Sequence, residues 1–141
     1  MDNISYYLQK LSGKTALIIE DNILNQLIAR KNLDFVNMNY TIIDNGSDAL
    51  NIFLSSHFDI ILLDINIPGM NGFEIASKIR QIKNNKKQTI PIVAVTGSDI
   101  SDILNKIKAS FINDYLPKAY TQEQLYEMIL KHIQQIPGKG N

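Results

Sequence analysis

Short apolar runs alternate with longer amphipathic stretches along the chain. The run at residues 16–19 is typical, because four consecutive apolar side chains predict a strand that is buried on both faces. Runs of this kind predict strands over residues 15–20, 40–43, 59–63, 90–95 and 112–116. The stretches that follow them have apolar residues at helical spacing and predict helices over residues 22–36, 47–55, 72–83, 99–109 and 121–136.

Five repeats of a strand followed by a helix indicate an α/β domain with a parallel sheet and helices on both faces. Right-handed crossovers in a short chain leave a flavodoxin-like, doubly wound sheet of five strands as the natural topology. We expect this domain to occupy residues 13–137, with residues 1–12 as an N-terminal extension or linker and residues 138–141 as a C-terminal tail.

Some side chains indicate how the helices are oriented and where they end. In the helix over residues 22–36, one face carries Leu24, Leu27, Ile28 and Phe35. In the helix over residues 47–55, we expect the inward residues to be Ala49, Leu50, Phe53 and Leu54. A short extra helix in the extension has as its apolar positions Tyr6, Tyr7 and Leu11. The last helix begins with a capping box at residues 121–124 and should end at Pro137 and Gly138.

The composition excludes several kinds of site. The chain has 141 residues, a formal net charge of zero and no cysteine, which excludes disulfides, thiolate catalysis and cysteine-based zinc sites. Zero net charge gives no overall field that would attract nucleic acid or an anionic membrane. No apolar run approaches the roughly 18 residues of a membrane span, and residues 1–11 lack the pattern of a signal peptide. We therefore expect a cytoplasmic protein without nucleic-acid or direct membrane contact.

Polar side chains follow the predicted strands at the points where the strands end. Glu20 and Asp21 follow the first strand, Asp64 follows the third, Thr96 follows the fourth and Lys118 follows the fifth. Because the carboxyl ends of parallel strands lie at one edge of a sheet, we expect these side chains to meet. Three converging carboxylates repel one another unless a cation lies among them. Oxygen ligands without cysteine indicate Mg²⁺ rather than zinc.

Each of these residues also has a plain structural explanation when it is considered alone. Asp64 could bond to its own turn, Asp21 or Thr96 could cap a helix, and Lys118 could be a solvated surface residue. The set as a whole favours phosphoryl transfer instead. Asp64 would attack the phosphoryl group, while Mg²⁺, Lys118 and the Thr96 hydroxyl would each hold one of its oxygens. Asn66 can offer its backbone carbonyl to the metal.

The ordered motifs of the chain resemble the receiver domain of two-component response regulators, over roughly residues 14–136. These motifs are Glu20-Asp21-Asn22, Asn45-Gly46, Ala49-Leu50, Asp64 with Pro68, Met70 and Gly72, Thr96-Gly97, and Tyr115 followed by Lys118. The start Asp64-Ile65-Asn66 and the position of Asn22 look most like receivers that are attached to hybrid sensor kinases.

The resemblance implies a role for each residue of the site. Asp64 would be the phospho-acceptor, with Thr96 and Lys118 acting beside it. The metal ligands of the family would correspond here to Glu20, Asp21, Asp64 and the backbone carbonyl of Asn66. Thr96 and Tyr115 would form a switch pair that changes the surface after phosphorylation.

Two positions depart from the family pattern. Glu20 stands where aspartate is commoner, which gives a longer acid. Ala119 follows Lys118 where the family usually has a proline, often with a cis bond. A cis bond before alanine would cost about 2.5–4 kcal/mol, so the shape of this loop is not carried over from the family.

The favoured function is a receiver that takes a phosphoryl group from a phosphohistidine onto Asp64. The donor would be a sensor histidine kinase or a histidine phosphotransfer domain, docked on the helix face at residues 23–32. Such a chain catalyses only its own phosphorylation and dephosphorylation. The chain could also be the segment of a hybrid kinase that relays phosphate onward.

Two other hypotheses stay open, an aspartyl-phosphate hydrolase and an unphosphorylated interaction module. The hydrolase is disfavoured because such enzymes are expected to have a second acid where this chain has Asn66. Homodimerisation is left open.

Overall fold

The computed structural model describes residues 3–67 and 69–133. Its strands are β1 Thr15–Ile19, β2 Asn39–Ile43, β3 Ile60–Asp64, β4 Ile92–Thr96 and β5 Asp114–Pro117. All pairings between them are parallel, in the order β2-β1-β3-β4-β5. The predicted flavodoxin-like topology is therefore confirmed, with each strand within two residues of its predicted limits.

The helices are α1 Asn3–Leu11, α2 Ile23–Phe35, α3 Gly46–Ser55, α4 Gly72–Arg80, α5 Asn85–Gln88, α6 Ile100–Lys108 and α7 Gln122–Ile133. The predicted capping box before α7 is present, since Thr121 and Gln124 each accept the backbone N–H of the other. The predicted helix over residues 72–83 ends early, at Arg80, and α5 was not predicted. Asn84 caps α5 by accepting the N–H of Lys87.

Two apolar layers cover the sheet. Alternate residues of β1, Ala16 and Ile18, pack toward α1, α2 and α7, whereas Leu17 and Ile19 pack toward α3, α4 and α6. This arrangement explains why the strands have continuous apolar runs, because both faces of the sheet are buried. None of the helices within the described ranges combines the length and the apolar character that crossing a membrane requires.

One predicted orientation is wrong, that of Leu54, and apolar residues of α1 and α2 lie in solvent as well. Leu54 is 54% exposed, because α3 turns Ala49 and Phe53 toward the sheet and Leu54 is the neighbour of Phe53. Tyr6 is 47% exposed, whereas Tyr7 and Leu11, which are four residues apart on α1, are buried. The apolar face of α2 lies in solvent: its exposed residues are Ile23, Leu24, Leu27, Ile28 and Phe35. The buried face of α2 consists of Ala29 and Leu33.

Some predictions lie outside the described residues. These are the last residues of the helix over 121–136, its end at Pro137 and Gly138, the tail at 138–141, and Pro68 of the motif after Asp64.

Candidate functional site

The carboxyl ends of the central strands bring three acids together. Glu20 and Asp21 directly follow β1, and Asp64 is the last residue of the neighbouring β3. One carboxylate oxygen from each of the three lies within 4.8 Å of those of the other two. Glu20 and Asp64 are buried, whereas Asp21 is exposed at the mouth of the site. The predicted convergence of the three carboxylates is therefore present in the structure.

Lys118 reaches the same cluster from the end of β5. Its Nζ lies 3.1 Å from Glu20 Oε1 and 3.2 Å from Asp64 Oδ2. Burial alone acts to lower the pKa of Lys118, but its hydrogen bonds and the charges of both acids outweigh burial and raise the pKa. The ammonium group is therefore charged and directed at Glu20 and Asp64, which rules out the explanation of Lys118 as a solvated surface residue.

Opposing influences act on the pKa of the Asp64 carboxyl group. Burial is the main cause that raises the pKa of Asp64, and the charge of Glu20 adds to it, while the Asn66 N–H and Lys118 act in the other direction. The Asn66 N–H donates to Oδ1 at 3.0 Å, so Asp64 also forms the local turn that its simple explanation predicted. One carboxylate oxygen is thus held by the backbone and the other faces Lys118. A cation among the acids would favour the ionised form of Asp64.

Thr96 ends β4 with its side chain buried, and its Oγ1 accepts the N–H of Ser98 at 3.0 Å. Asn66 donates its side-chain amide to Ser98 Oγ at 3.2 Å. The bond from Asn66 to Ser98 joins the loop after β3 to the loop after β4 across the mouth of the site. Tyr115 is half-buried and packs with the cluster on the side of α3, α4 and α6.

The N-cap residue of α2 and a side chain of its first turn help to fix Glu20. The Asn22 N–H donates to Glu20 Oε2 at 3.0 Å, and Gln26 Nε2 donates to the Glu20 carbonyl at 2.7 Å. Asn22, rather than Asp21, caps α2 by accepting the N–H of Asn25. Asp21 is therefore free of the capping role that was its alternative explanation. The support from Gln26 was not predicted, because no local pattern reveals that a helix side chain bonds back to the strand end.

Gly72 lets α4 approach the backbone of Asp64 and Ile65 closely. A Cβ at this position would lie 2.8 Å from Ile65 Cα and 3.2 Å from the Asp64 carbonyl oxygen. The Gly72 N–H donates to the Ile65 carbonyl at 2.8 Å. Contact between backbone atoms leaves no room for a side chain, so glycine is required where α4 begins.

The loop after β5 shows which conformation the chain adopts with Ala119 in place of the proline that the family usually has after the lysine. The described residues contain no cis peptide bond, and Ala119 adopts a left-handed conformation with φ 67°. The next residue, Tyr120, lines a cavity of about 80 Å³ together with Glu20, Asp64 and Lys118. Burial and the charge of Glu20 raise the pKa of Tyr120 to about 12. Tyr120 was not among the predicted site residues, since its place beside the acids depends on the turn at Ala119.

Comparisons with known proteins agree with this geometry. The family model described as the response regulator receiver domain matches residues 16–130. The chain is 32% identical to the sensor histidine kinase GacS of Pseudomonas protegens, over 82% of this chain and 13% of that protein. It is 34% identical to hybrid signal transduction histidine kinase I of Dictyostelium discoideum, over 83% of this chain and 7% of that protein. The chain thus spans a small part of these curated relatives.

A similar solved structure is the receiver domain of the sensor histidine kinase PA1611 from Pseudomonas aeruginosa PAO1. It has a TM-score of 0.75 and 25% identity, and the match covers 87% of this chain and 99% of that one. That crystal structure has a magnesium ion coordinated in its active-site cleft.

Proposed function

Because this chain belongs to the response regulator receiver domain family, we propose that Asp64 accepts a phosphoryl group from a phosphohistidine. The observation that carries this proposal is the placement of the Asp64 carboxylate between Lys118 and two further acids. The oxygen–phosphorus bond to Asp64 forms as the bond from phosphorus to the histidine nitrogen breaks. The electron pair of the broken bond leaves with the imidazole.

The acids fit a magnesium ion. Three carboxylates that converge within 4.8 Å form an oxygen-only donor set of the kind that hard cations prefer. We assign its ligands as Glu20, Asp21, Asp64 and the backbone carbonyl of Asn66. The bound ion would neutralise charge on the transferring phosphoryl group and orient one of its oxygens. The magnesium in the PA1611 receiver supports this assignment.

Lys118 and Thr96 would hold the other phosphoryl oxygens. The Lys118 ammonium already lies 3.2 Å from Asp64, so it can pair with an oxygen of the group bound there. The Thr96 oxygen accepts a hydrogen bond from Ser98, which leaves its own proton available for a phosphoryl oxygen. Thr96 and Tyr115 would then act as the switch pair that alters the surface after phosphorylation.

The donor would dock on the exposed apolar face of α2. Ile23, Leu24 and Leu27 are 69%, 65% and 53% exposed, and they begin two residues after Asp21. A helical donor that covers this face would bring its phosphohistidine to the acids. The partners in this proposal are a sensor histidine kinase or a histidine phosphotransfer domain, which the hybrid-kinase relatives support.

The docking face can be tested separately from the chemistry. Leu24→Ser should slow transfer from a phosphorylated donor domain, whereas phosphorylation by acetyl phosphate should be unchanged because this small donor needs no docking. Leu54→Ser is a matched control, since Leu54 is also exposed, at 54%, but lies on α3. Gln26 is unsuitable for this test because it bonds to the Glu20 carbonyl. Equal transfer rates for both serine variants would contradict docking on α2.

A second candidate is a relay segment of a longer hybrid sensor kinase, which would pass its phosphate to a histidine phosphotransfer domain. Its support is that the two curated relatives named above are a sensor and a hybrid histidine kinase, of which the matched region forms 13% and 7%. In either case the receiver domain would occupy residues 13–137, between an extension at 1–12 and a tail at 138–141. We propose a cytoplasmic location, where phosphohistidine donors and Mg²⁺ occur together.

The chain would catalyse only its own phosphorylation and dephosphorylation. Asn66 lies where an aspartyl-phosphate hydrolase would need a second acid, and an interaction module without phosphorylation would not need the intact cluster of acids and Lys118. Intact-mass measurement after incubation with acetyl phosphate tests the proposal. We expect one phosphoryl adduct that requires Mg²⁺, and no adduct on Asp64→Asn. An unmodified wild-type protein would contradict the proposed function.

A further inference from the structure

The residue after Lys118 is in an unfavourable conformation. Ala119 has φ 67°, and the left-handed region costs an L-residue with a Cβ about 1–2 kcal/mol. Such a conformation persists only when the residues on either side are fixed by the surrounding structure. The position of Lys118 therefore depends on what anchors the loop before and after Ala119.

The anchor before Ala119 is a backbone hydrogen bond. The Lys118 N–H donates to the Thr96 carbonyl at 2.7 Å, which extends the pairing of β4 with β5 by one residue. This bond fixes the main chain of Lys118. It does not fix the long side chain, which must still reach Glu20 and Asp64.

The anchor after Ala119 is the ring of Tyr120. This side chain is half-buried and packs against the apolar cluster formed by the sheet, α1, α2 and α7. It lines the cavity of about 80 Å³ that also touches Glu20, Asp64 and Lys118. The remaining walls include apolar side chains of β1, β3 and β4. Removing the ring would enlarge this space, which the side chain of Lys118 also lines.

We propose that Tyr120 is a positioning residue whose ring holds Lys118 in place beside Asp64. By packing against the apolar cluster, the ring would anchor the loop after β5 and hold Ala119 in its left-handed conformation. The Tyr120 hydroxyl is not needed for this role. The inference rests on the proposed function, because Lys118 matters for phosphorylation only if Asp64 is the acceptor.

The test uses Tyr120→Ala, with Tyr120→Phe as the conservative variant. Reductive methylation followed by peptide mass mapping measures how accessible Lys118 is, with exposed Lys131 as an internal reference. In Tyr120→Ala, methylation of Lys118 should be several-fold faster and that of Lys131 unchanged. Phosphorylation by acetyl phosphate with Mg²⁺ should be at least about tenfold slower, since misplacing a catalytic group by 1 Å can cost about 10²-fold.

Two further variants serve as controls. Tyr120→Phe should behave as the wild type in both assays. Tyr40→Ala removes a half-buried ring from β2 and should leave Lys118 as protected as in the wild type. Tyr120→Leu, expected to lie between the alanine variant and the wild type, replaces Tyr120→Ala if the latter does not fold.

Unchanged methylation and phosphorylation in Tyr120→Ala would overturn the inference. So would a loss in Tyr120→Phe as large as that in Tyr120→Ala, because it would assign the role to the hydroxyl. If the wild type takes no phosphoryl group while methylation of Lys118 still responds to Tyr120→Ala, the proposed function fails and the positioning role stands. If the wild type is phosphorylated and Lys118 does not respond, only the positioning role fails.

Discussion

Substitution of Gly72 tests how closely α4 packs against the end of β3 at Asp64. It is the first residue of α4, and its N–H bonds to the Ile65 carbonyl at 2.8 Å. The Cβ introduced by Gly72→Ala would lie 2.8 Å from Ile65 Cα and 3.2 Å from the Asp64 carbonyl oxygen. Neither is the end of a flexible side chain, so α4 must move away from β3. Asp64 is expected to shift with this loop.

Opposing contributions set the size of the effect. Alanine is a better helix former than glycine by about 1 kcal/mol. Overpacking costs about 1–3 kcal/mol, and disturbing the hydrogen bond from Gly72 to Ile65 costs about 0.5–1.5 kcal/mol more. The net prediction is a free energy of unfolding that is lower by about 0.5–3.5 kcal/mol. Phosphorylation of Asp64 should also be slower.

Urea unfolding measures the first effect, and Gly97→Ala is a matched control. A Cβ at Gly97 would contact only Lys118 Cδ, at an ordinary distance of 3.7 Å. We therefore expect Gly72→Ala to be clearly less stable than Gly97→Ala. Equal stabilities of the two variants would refute the requirement for glycine at the start of α4.

Three further predictions concern Arg80, Asp64 and Ala119. Arg80→Lys should lower the free energy of unfolding by about 1–3 kcal/mol, measured in urea. The reason is that the guanidinium of Arg80 donates to three backbone carbonyls and to the Asn113 side chain at 2.8–3.2 Å. An unchanged midpoint of urea unfolding would contradict this role. Without Mg²⁺, Asp64→Asn should melt above the wild type at pH 7, because burial and the charge of Glu20 raise the pKa of Asp64. A raised carboxyl pKa makes the wild type lose stability as the pH rises through the folded-state pKa. The advantage of the variant should therefore shrink as the pH falls below that value, and a difference in melting temperature that stays constant with pH would contradict the raised pKa. Ala119→Gly should stabilise the protein by up to about 1.5 kcal/mol in urea unfolding, since relief of the left-handed strain exceeds the added entropy of the unfolded chain; clear destabilisation would contradict the assigned strain.

The sequence was sufficient for the sheet and for the meeting of the acids. Continuous apolar runs such as residues 60–63 identify strands that are buried on both faces, and parallel strands place their carboxyl ends at one edge. Asp64 could therefore be placed near Glu20 and Asp21 before any distance was known. The same logic located Thr96 and Lys118, because each is at or next to a strand end.

Other features were not predictable because they depend on contacts between distant residues. An apolar stripe shows that one side of a helix is apolar, not whether the protein covers it. The docking hypothesis required the face at residues 23–32 to be exposed, and the packing of α2 shows that Leu24 and Leu27 are. The left-handed turn at Ala119 has no signal in the residue type. The place of Tyr120 beside Glu20 follows from that turn. Most of these features lie on the surface or in loops, where local patterns constrain the chain least.

The most direct test of the acceptor assignment is to locate the phosphoryl group on the chain. After phosphorylation with acetyl phosphate and Mg²⁺, borohydride reduction converts an aspartyl phosphate into homoserine, and peptide mass spectrometry identifies the modified position. We predict homoserine at position 64 and aspartate retained at position 21, with no conversion when Mg²⁺ is omitted. Homoserine at another aspartate, with Asp64 intact, would contradict the assignment of Asp64 as the acceptor.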